Sequence, residues 1–256
     1  MTGYRRYVAL GDSQTEGLWD GDDATGLAGF ADRLAVTLDQ LRPGLQYANL
    51  AIRGKQIRDV LDDQLPRAIE MSPDLITVCI GMNDMTRPGP GFDRALAQLD
   101  EMHVRLAASG ATVVTTTFPD LAKILPIGRV LARRLLAIND RIRSAAAQHG
   151  FGLVDLFDAA SMTQPDTWSP DRVHGSPKGH MLFAAAAAEA LGLPGSSHDW
   201  AHADPAAAQP SVRARMYSQV LWTQNMLMPW LWAHLRGQAV GDGRSPRRPV
   251  LTAISA

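Results

Sequence analysis

Five times along the chain a short apolar run is followed by a longer amphipathic stretch, and no other feature restricts the fold so strongly. The runs are Tyr7 to Leu10, Gln46 to Ala51, Asp74 to Ile80, Thr112 to Thr117 and Gly152 to Leu156. Apolar runs of this length, bounded by Gly, Asp and other turn formers, suit strands covered on both faces. Asp74 to Ile80 is the most strand-like, with β-branched Ile76, Val78 and Ile80. Helical spacing follows in Phe30, Leu34, Leu38 and Leu41, in Ile57, Val60, Leu61 and Leu65, and in Phe92, Leu96, Leu99 and Leu106. Pro43-Gly44 ends the first of these helices, Pro66 marks a kink in the second, and Gly110 caps the third. A helix from about Val130 to His149 precedes the last strand, and Pro177 opens an alanine-rich helix over Lys178 to Leu191. Strands alternating with helices predict a parallel sheet with helices on both faces.

In such a sheet, ligands bind at the carboxyl ends of the strands. Three polar residues fall at that edge: Ser13 after the first strand, Asn83 after the third, and His174 before the last helix. A serine hydroxyl is a weak nucleophile until a base takes its proton, and an imidazole titrates near working pH. A carboxylate must hold the ring in the right tautomer, and Asp171 stands three residues before His174, within reach of one turn. The backbone N–H groups of Ser13 and Gly54, with the side-chain amide of Asn83, could donate to a developing oxyanion. Asp155 is a rival for the orienting carboxylate, and Asp84 reads as a residue that holds its own loop. His180 reads as a packing residue, His103 and His149 as surface residues of helices, and His198 and His202 as linker residues.

With these blocks in view, the chain resembles the SGNH hydrolases, the GDSL-type esterases and lipases. The matching blocks are Gly11-Asp12-Ser13 with Gln14-Thr15-Glu16-Gly17, then Gly54, then Gly81-Met82-Asn83-Asp84, then Asp171-Arg172-Val173-His174. They stand in the family's order and span about Tyr7 to Leu191. The resemblance implies a flavodoxin-like three-layer α/β/α sandwich around a five-stranded parallel sheet. It implies a serine hydrolase acting on a small-molecule carboxylic ester through an acyl-enzyme. Ser13, Asp171 and His174 would form the triad, and Ser13, Gly54 and Asn83 the oxyanion hole. No metal or cofactor is expected. The Gly-x-Ser-x-Gly elbow of ordinary α/β-hydrolases is absent. Acyl transfer to an alcohol would use the same residues. A reading from another class is a binding protein whose Ser13-Gln14-Thr15 loop cradles a phosphate or a flavin. Asp20, Asp22 and Asp23 mimic part of a calcium loop but lack its terminal glutamate, so a solvated loop is expected there.

Composition narrows the class further. With 256 residues, 46% of them hydrophobic, the chain can bury a sizeable core. A net charge of -1 argues against non-specific nucleic-acid binding. The single cysteine, Cys79, excludes an internal disulfide and lies in an apolar run, where it reads as an inert thiol. No apolar run is long enough to span a bilayer, and the residues before Tyr7 cannot hold a targeting core, so a cytoplasmic protein without stable membrane insertion is expected. Residues 1–193 are read as the hydrolase domain, 194–210 as a linker, 211–237 as a C-terminal helical extension and 238–256 as a disordered tail. In the extension, Val212, Met216, Val220, Leu227, Leu231 and Leu235 share one helical face beside Trp222, Trp230 and Trp232, with Pro229 splitting it. Packing onto the domain, a homo-oligomer contact and a lid are the candidate roles.

Overall fold

The computed structural model describes residues 3–22, 24, 26–124, 128–207, 213, 216–217, 220 and 243–254. Its strands are β1 (Arg6–Gly11), β2 (Gly21–Asp22), β3 (Gly26–Leu27), β4 (Gln46–Asn49), β5 (Leu75–Cys79), β6 (Thr112–Thr116), β7 (Gly152–Val154) and β8 (Arg248–Ala253). The α-helices are α1 (Ser13–Glu16), α2 (Phe30–Leu41), α3 (Ile57–Asp59), α4 (Leu65–Glu70), α5 (Met82–Thr86), α6 (Phe92–Ala108), α7 (Leu121–Ile124), α8 (Gly128–His149) and α9 (Pro177–Ala190). A π-helical turn, Val60–Gln64, joins α3 to α4. The main sheet is six-stranded in the order β7-β6-β5-β1-β4-β8, and β2 and β3 form a separate small ribbon.

The neighbours β7, β6, β5, β1 and β4 all pair in parallel. Counted along the chain, this is the order of a flavodoxin-like doubly wound sheet. The direction of winding reverses beside β1, which opens a crevice at the carboxyl end of that strand. Tyr7, Val8, Ala9 and Leu10 are fully buried, as a strand covered on both faces requires. Tyr7 stacks on Tyr47 of β4 with ring centroids 5.0 Å apart, and its hydroxyl meets Thr77 Oγ1 at 2.7 Å. Helix α2 packs on α9, while α3, α6 and α8 pack in series, so two helical layers enclose the sheet. The predicted apolar stripe of α2 is the buried one: Phe30, Leu34 and Leu38 face inward with Ala31 and Ala35.

Two boundary readings change. The tail read as disordered contributes β8, which pairs antiparallel to β4 and gives the sheet a sixth strand. An uncovered β4 would present a row of unpaired backbone groups, and β8 covers it. Arg247, in the stretch read as a disordered tail, donates to the Leu27 carbonyl and to Asp32 Oδ2, both at 2.6 Å. Pro249 is tolerated because an edge strand needs no donor on its outer side. The segment read as a linker carries a 3₁₀ turn, His198–Ala201, whose Trp200 is buried against α9 and donates its indole N–H to Glu189. A large apolar ring outweighs the turn-forming composition around it. The helical extension read at 211–237, with its Trp residues and the homo-oligomer contact assigned to it, lies outside the described residues apart from isolated positions.

Candidate active site

Ser13 owes its place to the turn that ends β1. Gly11 sits at φ 150°, and a Cβ there would run into the Cys79 carbonyl and the Thr15 hydroxyl. Gln64, fully buried, holds both backbone groups of Gly11: its Oε1 accepts the N–H and its Nε2 donates to the carbonyl, each at 2.9 Å. Asp12 then caps the single turn of α1, its Oδ1 accepting from the Gln14 N–H at 3.2 Å. Ser13 is the first residue of that turn, where a backbone N–H has no partner within the helix.

Asp171 and His174 share one tight turn after a long irregular segment. Asp171 Oδ1 accepts from the Ser169 hydroxyl at 2.7 Å and from the Val173 and His174 N–H groups at 2.9 and 3.0 Å. Its Oδ2 stands 2.7 Å from His174 Nδ1. Burial alone would raise this carboxyl, but the His174 hydrogen bonds and charge and the Ser169 bond outweigh it and hold it at about 2. The carboxylate fixes the Nδ1–H tautomer, which leaves Nε2 as acceptor, 2.7 Å from Ser13 Oγ. Gln14 ties the two loops together, its Oε1 accepting from the Gly175 N–H at 3.3 Å. The predicted trio is thus one chain of hydrogen bonds.

The other two predicted residues lie beside it. Gly54 adopts φ 81° in a turn closed by the Lys55 N–H on the Ile52 carbonyl at 3.3 Å, a left-handed position that favours glycine. Asn83 lies in α5, just past β5, and its amide donates to Asp12 Oδ2 at 3.1 Å and to the Lys55 carbonyl at 2.9 Å. Asp12 is a residue the sequence reading passed over. It is buried, and desolvation pushes its carboxyl up to about 7 against the Gln14 N–H and the His174 charge, which lower it. Its signal was present in the sequence, since an Asp directly before a one-turn helix is a cap.

A cavity of about 40 Å³ opens beside Ser13 and His174. Phe30, Phe118, Leu156, Trp168, Val173 and Phe183 line much of it. Phe183 meets Phe30 and Trp168 edge-on, at centroid distances of 6.4 and 6.0 Å. Buried Asn139 clamps the Phe118 backbone, accepting its N–H at 2.9 Å and donating to its carbonyl at 2.8 Å. The wall away from Ser13 and His174 is therefore largely apolar, and Asn139 fixes the backbone of Phe118 within it.

The rival assignments fare differently. Asp155 is engaged by Arg143 at 2.7 and 2.9 Å and by the Thr117 hydroxyl at 2.8 Å, and does not reach His174. Asp84 holds its neighbourhood as read, accepting the Ile57 N–H at 3.0 Å. His180 packs as read: its Nδ1 accepts from the Phe30 N–H at 3.2 Å, its Nε2 donates to the Leu18 carbonyl at 2.9 Å, and burial lowers it to about 4. His103 is not on the surface. It is 1% exposed, and neither ring nitrogen has a hydrogen-bond partner among the described residues. Asp20, expected in a solvated loop, is instead buried and held by Arg33 at 2.6 and 2.8 Å, which offsets the cost of leaving water. In the loop read as a phosphate cradle, the Thr15 hydroxyl turns inward to the Leu10 carbonyl at 3.3 Å.

A sequence model of the GDSL-like lipase/acylhydrolase family matches residues 9–182. The chain belongs to that family. Its members are carboxylic ester hydrolases, and so is this chain. Among solved structures it is similar to LAE5, an α/β hydrolase from the metagenome of Lake Arreo, Spain, with 23% identity over 73% of this chain and 95% of that one and a TM-score of 0.62. It is similar to TesA, with 22% identity over 73% and 98% of the two chains and a TM-score of 0.60. A third is Axe2, an acetyl xylan esterase from Geobacillus stearothermophilus, with 21% identity over 74% and 95% and a TM-score of 0.60. At such identities these likenesses speak for the fold. No curated protein matches the chain. No described helix of this family member is long and apolar enough to cross a membrane.

Proposed function

We propose that the chain hydrolyses carboxylic esters through an acyl-enzyme on Ser13. The observation that carries this is the unbroken line from Asp171 through His174 to Ser13, with 2.7 Å at both joints. As Ser13 Oγ attacks the ester carbonyl, its proton passes to His174 Nε2, and Asp171 stabilises the imidazolium. The carbonyl oxygen becomes an oxyanion, met by the N–H groups of Ser13 and Gly54 and by the amide of Asn83. For Asn83 this means exchanging its bond to Asp12 for one to the substrate. The exchange favours the transition state because burial raises Asp12 to about 7 and leaves it only partly ionised near neutral pH, whereas the oxyanion carries a full charge. The carbon–oxygen bond to the alcohol then breaks, and His174 returns its proton to the leaving oxygen. Water, deprotonated by His174, attacks the acyl carbon, the bond to Ser13 Oγ breaks, and His174 gives the proton to Oγ as the acid leaves.

The apolar cavity takes the acyl group in this reading. Its 40 Å³ has room for about three water-sized groups, which favours short acyl chains. The test pairs fluorophosphonate labelling with a screen of p-nitrophenyl esters from acetyl to palmitoyl. Labelling confined to Ser13 is expected, with kcat/KM highest among the short esters. Absence of label on folded protein would remove the acyl-enzyme, and a maximum at long chains would remove the cavity from acyl binding.

A further inference from the structure

We propose that Glu16 and Arg53 are positioning residues that set the spacing between the nucleophile turn and the Gly54 donor, an inference that rests on the ester-hydrolysis reading above. The need for such a device follows from the topology. Strands β1 and β4 are paired neighbours, but their ladder ends where the Leu50 N–H donates to the Ala9 carbonyl at 2.9 Å. Beyond that point the chain after β1 turns into α1, and the chain after β4 runs as an irregular loop to Gly54. The Ser13 and Gly54 amides thus sit on two separate segments, and their separation decides whether both can reach one oxyanion.

Side chains make the coupling. The Glu16 carboxylate accepts the backbone N–H of Arg53 at 2.7 Å, one residue before Gly54. The same carboxylate takes the Arg53 guanidinium as a fork, with Nε at 3.0 Å from Oε2 and Nη2 at 2.8 Å from Oε1. Only 6% of the Glu16 side chain and 14% of the Arg53 side chain are exposed, so solvent screens the pair little. Glu16 is the last residue of α1, which Gly17 stops in the left-handed region, so the carboxylate lies one turn from Ser13. A neutral strap runs parallel to it: Asn49 Nδ2 donates to the Thr15 carbonyl at 2.8 Å. Neither Glu16 nor Arg53 belongs to the proton-transfer chain. They fix main chain on both sides of the oxyanion position, and the fork holds an orientation as well as a distance.

The test replaces the pair by Glu16→Met with Arg53→Met, because a neutral, well-filled pair can keep a buried site stable while removing its geometry. Four readouts are taken well below the melting temperature: kcat, KM for a p-nitrophenyl ester, affinity for butylboronic acid (which forms a tetrahedral adduct on serine), and the pH dependence of kcat. Expected is a kcat loss of about 10–100-fold, below the ~10²–10³ for losing a donor outright. The boronate should weaken in parallel, KM should stay within about threefold, and the pH midpoint should not move, since ground-state binding and the Asp171–His174 pair are untouched. Arg53→Lys, which keeps both charges but lacks the fork, should lose activity in the same pattern and carries the test if the double variant does not fold. Wild-type kcat in the folded variant, or a kcat loss without loss of boronate affinity, overturns the proposal. Failure of wild-type Ser13 to take a fluorophosphonate would instead overturn the hydrolase reading itself.

Discussion

Asn83 has both amide hydrogens engaged, one by Asp12 Oδ2 and one by the Lys55 carbonyl. Asn83→Ala should lower kcat by about 10²–10³ with little change in KM, the pattern for one oxyanion donor lost. Single-turnover acylation of Ser13 checks it, and a normal rate would take Asn83 out of the mechanism. Ser13→Ala and His174→Ala should each lower kcat on the order of 10⁶, and the double variant no further, because the two act as a unit. Steady-state kinetics on all three variants test this, and additive losses would contradict it. The placement of Ser13, Asn83, Asp171 and His174 near one another was legible in the sequence, because strand ends and a three-residue spacing are local signals. Gln64 was not weighed, since what it holds becomes visible only when Gly11 is brought beside it, and of Asp12 only the cap, not the bond from Asn83, is a local signal.

Elements were read well where periodicity was long and poorly where one residue decided. The stripe of α2 and the strands of the parallel sheet lie where apolar spacing put them. The 3₁₀ turn at His198–Ala201 and the edge strand β8 had Ser, Pro and Arg around them, and composition pointed to solvent. Trp200 is the residue that overrules it, at 6% exposure and bonded to Glu189. Trp200→Ala should cost about 3–5 kcal/mol of stability, the range for truncating a buried aromatic. Chemical denaturation reads this, and a change below about 0.5 kcal/mol would restore the linker reading. Activity per folded molecule should not change, since Trp200 lies behind α9 rather than in the crevice.

Across the whole molecule, buried titratable groups of opposite sign set the pH response. Asp12 is raised to about 7 and Asp84 to about 6, each chiefly by burial, so each favours the folded state as pH falls from about 7 toward 4. His103 and His180 are lowered to about 4, again chiefly by burial, so each costs stability over the range from about 6.5 down to 4. The two pairs offset one another, and stability should vary little between about pH 4.5 and 7. Below that Asp171 dominates: its folded value of about 2 lies under the unfolded carboxylate, so its contribution is present above about pH 4 and lost as pH falls toward 2. His103→Leu should unmask the balance. It removes two buried nitrogens that have no partner among the described residues, should gain about 1–2 kcal/mol near pH 5, and should make stability rise on acidification from 7 to 5. Melting temperature against pH checks this, and parallel curves for the two proteins would contradict it.

The layered α/β class, the edge of the sheet where Ser13 stands, and the three-residue spacing that brings Asp171 to His174 could all be read from spacing along the chain. What closes the sheet, and which ion pair lies buried beside the nucleophile turn, emerged only from assembly. Arg247 meets Asp32 across more than two hundred residues, and Glu16 meets Arg53 only because β1 and β4 are neighbours. An isolated Arg or Glu reads as solvated, since leaving water is unfavourable without a partner. Which partner waits inside is a property of strand order, and strand order emerges when the sheet is assembled.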